Sequence, residues 1–133
     1  MEENNGMPQE PRFPLETAQK RANEFLEGNK DSVWFSAQSR STDVVMEIYQ
    51  CDLSQAQNII VKGIVRLTRK DFSVTIMNWG GTVPCDVYGL EGYCDNDWYI
   101  KFRFEDESLD EISFHPPKTA LKLQDGRVLK AKE

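Results

Sequence analysis

Few residues in this 133-residue chain are of types that do covalent or metal chemistry, and their spacing suits it poorly. His115 is the only histidine, so a mechanism needing two imidazoles is excluded. A Cys-His nucleophile would require Cys51, Cys85 or Cys94 to reach His115 and to carry a lowered thiol pKa. The run Asp95-Asn96-Asp97 beside Cys94 pushes a thiol pKa upward, which is the wrong direction. Neither C-x-x-C nor H-x-x-x-H occurs, so a zinc site is not expected. Asp95-Asn96-Asp97 opens like a calcium loop, but Tyr99 then falls where an oxygen ligand belongs and Ile100 where the glycine belongs. Trp79-Gly80-Gly81-Thr82 lacks the lysine of a phosphate-binding loop.

One acidic constellation remains. Glu105, Asp106, Glu107, Asp110 and Glu111 crowd one hairpin. Paired carboxylates do acid and base work when their surroundings drive their pKa values apart. A charge run around a turn reads more simply as a solvated tip, or as an electronegative prong for a basic partner. No catalytic residue, metal or cofactor is therefore expected, and the reading is of a non-enzymatic protein.

The elements that would carry these residues follow from hydrophobic period. Residues 1–13 combine Asn, Gly, Pro and Glu and are expected to form a disordered acidic tail, leaving 14–133 as a single α+β domain. Leu15, Ala18, Ala22, Phe25 and Leu26 recur at helical spacing between Pro14 and Gly28, which predicts one amphipathic helix. From Val33 onward the period reads as two. Strands are expected at 33–38, 43–51, 59–68, 72–79, 84–90, 97–105 and 111–115, joined by short turns into an antiparallel meander. Seven hairpin-linked strands tend to curl, so a strongly curved, barrel-like sheet is expected. Residues 119–124 and 127–132 around Asp125-Gly126 predict a terminal β-ribbon. Gly89 and Gly92 suggest a bulge or a close backbone approach, and with Tyr88, Tyr93, Trp79 and Trp98 they could rim a small-ligand mouth.

Parity divides the side chains between two surfaces. Trp98, Ile100, Phe102 and Phe104 mark an apolar interior, which Cys85 and Val87 are expected to join. The opposite parity mixes Trp34, Tyr49, Trp79, Tyr88 and Tyr99 with Lys62, Arg66, Lys101 and Arg103. A half-apolar face of that kind marks an interface or a ligand site, and Trp, Tyr and Arg are favoured anchors for protein partners.

The expected function is thus a protein-binding module, an inhibitor, immunity-type or adaptor factor acting by occlusion, with a homodimer through the same face as a variant. One alternative is a small barrel holding an apolar ligand. Another is a sheet that binds single-stranded nucleic acid, because rings interleaved with Lys and Arg can stack bases and hold phosphates. Sixteen Lys plus Arg against 22 Asp plus Glu give a net charge of -6, which works against a phosphate backbone. No apolar run approaches the roughly 20 residues that cross a bilayer, and the first residues do not read as a secretory signal. A cytoplasmic protein that does not engage membrane is expected. Three cysteines cannot all pair within one chain, so reduced thiols are expected, with a Cys85–Cys94 bridge as the oxidised alternative.

Overall fold

The computed structural model describes residues 10–35, 40–78, 81, 83–105 and 108–132. The fold is α+β. Helices α1 (Leu15–Leu26), α2 (Ser41–Tyr49) and α3 (Leu53–Arg66) accompany strands β1 (Val33–Phe35), β2 (Phe72–Asn78), β3 (Val83–Tyr93), β4 (Asn96–Glu105) and β5 (Ser108–His115). Two further strands, β6 (Leu121–Lys122) and β7 (Val128–Leu129), form a separate ribbon. The main sheet runs β1-β5-β4-β3-β2, with β1 parallel to β5 and the other pairs antiparallel. The expected barrel is therefore corrected: this five-stranded mixed sheet ends in two edges, β1 and β2, and does not close.

Helix α1 lies where its apolar period puts it, burying Leu15, Ala18, Ala22 and Phe25. It packs against α3 and also finishes it. The Gln19 amide donates to the carbonyls of Val65 at 2.9 Å and Leu67 at 2.7 Å, satisfying acceptors that the end of a helix leaves without partners.

Two of the expected strands are helices. Residues 43–51 fall in and just after α2, and 59–68 lie mostly in α3. Helix α3 starts on a capping box, in which the Asp52 carboxylate accepts from the Gln55 N–H at 2.8 Å and the Gln55 side chain accepts from the Asp52 N–H at 2.9 Å. From there Ala56, Ile60, Gly63 and Ile64 fall on one buried stripe. The branched residues that imitate a strand are packed as a helix because that stripe meets the sheet and α1.

The helix-facing side of the sheet holds the main core, including Phe72, Tyr88, Trp98, Ile100, Phe102, Leu109 and Phe114. Tyr88 lies opposite Ile100, stacks on Phe102 with centroids 5.3 Å apart, and is fully buried. Parity in β3 is therefore opposite to expectation: Tyr88 points inward, while Val87 joins the cluster on the other face. A register shift between Phe72 and Val74 sends Val74 and Ile76 to that outer cluster as well. With Tyr88, Tyr93 and Trp98 all buried in the core, the expected aromatic-rimmed mouth is not formed by them.

The terminal ribbon forms as expected in place, though each strand is only two residues long. Leu121, Leu123 and Leu129 are laid on Val87, and Gly89 admits them: a Cβ there would stand 2.8–2.9 Å from all three. Arg127, in the turn of the ribbon, ties it down through Asp71 at 2.7 Å and Glu91 at 3.3 Å. At the other end of the chain, the backbone N–H groups of Arg12 and Phe13 each donate to the buried Asp86 carboxylate at 2.8 Å, and the Phe13 ring meets Phe104 edge-on. No helix among the described residues is long and apolar enough to cross a membrane.

Candidate functional site

On the outer face, the register sets Trp34 of β1 beside Asp110 of β5, and Asp110 beside Arg103 of β4. The cross-strand pair is ionic, with Arg103 Nη2 3.3 Å from Asp110 Oδ2. Val33 and Phe35 turn toward the helices, so alternation forces Trp34 outward, where it remains 67% exposed. Lys101 follows Arg103 on the same face, two residues along β4. Beneath them Cys85 is completely buried, and its thiol pKa is raised by that burial.

The rest of this face belongs to the protein itself. The ribbon covers Val87, Val74 and Ile76, and Tyr99 packs against the same cluster. Tyr99 stacks on His115 with centroids 5.0 Å apart. His115 Nδ1 lies 2.7 Å from the Pro116 carbonyl, and burial lowers the imidazole pKa against a smaller opposing effect of that bond. A half-buried, stacked histidine of this kind is a packing element.

The remaining expected anchors are scattered. Tyr49 closes α2: its O–H donates to the Cys94 carbonyl, and the Asn96 amide donates to its oxygen at 3.0 Å. Lys62 and Arg66 lie on the exposed side of α3, where the Arg66 guanidinium sits 5.6 Å from the Tyr93 ring centroid. Tyr88 is in the core, and burial holds its phenol well above the ordinary range. Trp79, Asp106 and Glu107 lie outside the described residues, as does the side chain of Glu105. Of the nine residues expected on the mixed face, the structure brings together Trp34, Lys101 and Arg103, with Tyr99 further along the same face.

The acidic hairpin is divided as well. Asp110 belongs to the ion pair on the outer face. Glu111 points the other way, opposite Phe102 and Phe35, and is fully enclosed. Ser41 Oγ, at the start of α2, donates to Glu111 Oε2 at 2.8 Å, and Oε1 has no hydrogen-bond partner among the described residues. Burial pushes this carboxyl from 4.5 up to about 8, against a smaller opposing effect of the Ser41 bond. Sequence reasoning missed this group because a register shift between Lys101 and Phe102 breaks the parity of β5.

The three cysteines are free thiols, Cys85 buried and Cys94 exposed. Among the described residues no group of three or more His, Cys, Asp or Glu is placed to hold a metal ion. A cleft of about 510 Å³ lies between the β3–β4 turn and the C-terminal segment. Asp95, Asp97, Lys130 and Lys132 line it, so it is too polar to serve as the apolar cavity of the small-ligand alternative. No protein-family model matches this chain, and no curated protein or solved structure matches it either, so its site is read from its own residues.

Proposed function

We propose that the protein is a non-enzymatic binding module that engages another protein through a narrow patch of the outer sheet face, centred on Trp34 and flanked by Arg103 and Lys101. The observation that carries this reading is the exposure of Trp34: a 67% exposed indole on an edge strand, in a chain whose Trp98 is completely buried. Large rings left in water at a rigid position are the usual anchors of protein interfaces. Lys101 and Arg103 of β4 stand beside Asp110 of β5, so the indole is flanked by groups of both charges. The matching partner presents an apolar recess for the indole with a rim of complementary charges, and those charges set encounter rate and partner choice more than affinity. Binding would act by occlusion, since desolvating the indole seals the partner's recess.

The test compares full-length wild type, Trp34→Ala and Lys62→Ala as immobilised baits, with retained proteins quantified by mass spectrometry. Loss of a central aromatic anchor costs roughly 2 kcal/mol or more, about 30-fold in affinity. The expected outcome is a protein retained by wild type and Lys62→Ala and depleted at least about tenfold with Trp34→Ala, which leaves Tm unchanged because the indole is exposed. Identical retention by all three baits overturns the reading. A concentration-dependent dimer that Trp34→Ala abolishes would replace the partner with a second copy of this chain.

A further inference from the structure

A carboxyl group sealed in an apolar core is the least expected feature of this fold, and its surroundings give it a job. Glu111 is enclosed by Phe102 of β4 on one side and Phe35 of β1 on the other, with Ser41 of α2 donating to one oxygen at 2.8 Å. No charged side chain among the described residues compensates it. From α2, Arg40 and Asp43 are exposed and paired with each other at 3.2 Å. From β5 itself, Asp110 faces the opposite side, with Arg103 of β4. From α1, Arg21 is held by Glu24 at 2.9 Å, and Lys30 just beyond that helix lies over the Phe25 ring. Asp86 of β3 lies across Phe102 and accepts from the Arg12 and Phe13 amides.

The helix that Ser41 begins is a short element with sharp backbone joints at both ends. Helix α2 is nine residues long and is bounded by Arg40 at φ +57° and Gln50 at φ +52°. Both are left-handed conformations that non-glycine residues adopt at a cost of order 1 kcal/mol or more. A short helix between two strained joints, held by Val45 in the core and by the Ser41 bond to a buried carboxyl, is a discrete unit for local opening.

We propose that Glu111 and Ser41 form a proton-dependent latch that holds α2 against the sheet, closed when Glu111 is protonated and released when it ionises. The direction follows from linkage. In the released state Glu111 is hydrated and titrates as an ordinary carboxyl, whereas in the closed state burial raises its pKa. The latch is therefore fully closed below the ordinary carboxyl pKa. It weakens tenfold per pH unit as pH rises, and the weakening levels off once the closed form itself ionises.

Native-state hydrogen exchange of the full chain, read at Val45, Met46 and Ile48 of α2 and at Ile100 and Phe102 of β4, tests this between pH 5.5 and 7.5 at several low urea concentrations. In wild type, protection of the α2 amides should fall about 100-fold over those two units after correction for intrinsic exchange, through an opening with far weaker urea dependence than that of β4. In Glu111→Gln the α2 protection should become independent of pH. Ser41→Ala should open α2 more at every pH while keeping the wild-type slope. The proposal is overturned if α2 exchanges only by the global unfolding that exposes β4, or if the slope survives in Glu111→Gln. An NMR titration of the Glu111 carboxyl carbon with an ordinary midpoint in the folded protein would overturn it independently of any variant.

Discussion

Replacing Glu111 by Gln should stabilise the protein at pH 7 by about 2 kcal/mol and leave its stability at pH 4 almost unchanged. The wild-type carboxyl titrates near 4.5 when the chain is unfolded and near 8 when it is folded. Its contribution is therefore fully present below the unfolded value and is lost as pH rises toward the folded one. Across that window each pH unit removes about 1.4 kcal/mol. Glutamine keeps the shape and can accept from Ser41 without a charge to suppress. Its buried amide hydrogens return part of the gain, which is why the expected net effect is smaller than the full linkage value. Urea denaturation at pH 4, 6 and 8 checks this: wild type should weaken steadily while Glu111→Gln stays nearly flat. Parallel curves for the two proteins would mean that the carboxyl is hydrated in the folded state.

Gly89→Val should cost about 2–3 kcal/mol, with Tm falling by about 10 °C. The backbone is not the obstacle, because valine suits a strand. The obstacle is the ribbon: Leu123 and Leu129 come within 2.8 Å, and Leu121 within 2.9 Å, of where a Cβ would stand. Their methyl groups must lift, and with them the cover over Val87, Val74 and Ile76. An apolar strip uncovered in this way favours self-association. Differential scanning calorimetry with sedimentation velocity reads both effects. An unchanged Tm and a monomeric variant would show that the ribbon does not press on Gly89 in solution.

These two sites differ in how visible they were beforehand. Gly89 could be read as a close approach, since glycine inside an apolar strand pattern has few other reasons to be there. Helix α1, strands β2 to β5 and the ribbon were legible for a similar reason: each is long enough, or flanked by clear enough turn residues, for its period to be counted. Helices α2 and α3 were not, because Val44, Met46 and Ile48 alternate as strand residues do, and the run from Ile59 to Leu67 is rich in branched side chains. The discriminating signal lay before that run, in the Asp52–Gln55 capping box. Gly63, awkward within a helix, makes sense only with the tertiary structure, where the Phe114 and Tyr93 rings come within 3.0–3.1 Å of where its Cβ would stand.

The candidate site was half legible. Alternation placed Trp34 and Arg103 correctly on one outer face. In β3 both parities are apolar apart from Asp86, so one acid decided the assignment and decided it wrongly: Asp86 is buried among the N-terminal amides. Glu111 was hidden by its neighbours, because a charge run looks solvated in sequence whichever of its members turns inward. The broad mixed face expected from sequence is consequently reduced to a patch around Trp34, since the protein covers the remainder with its own C-terminal leucines.

Amide hydrogen exchange of the full chain with and without a protein retained through Trp34 probes that patch most directly. Binding through it should slow exchange in β1 and at Ser108–Asp110 of β5, while Lys62 and Arg66 on α3 and the 120–132 segment keep their free rates. Slowing confined to the α2–α3 side or to the ribbon, with β1 unaffected, would contradict the account.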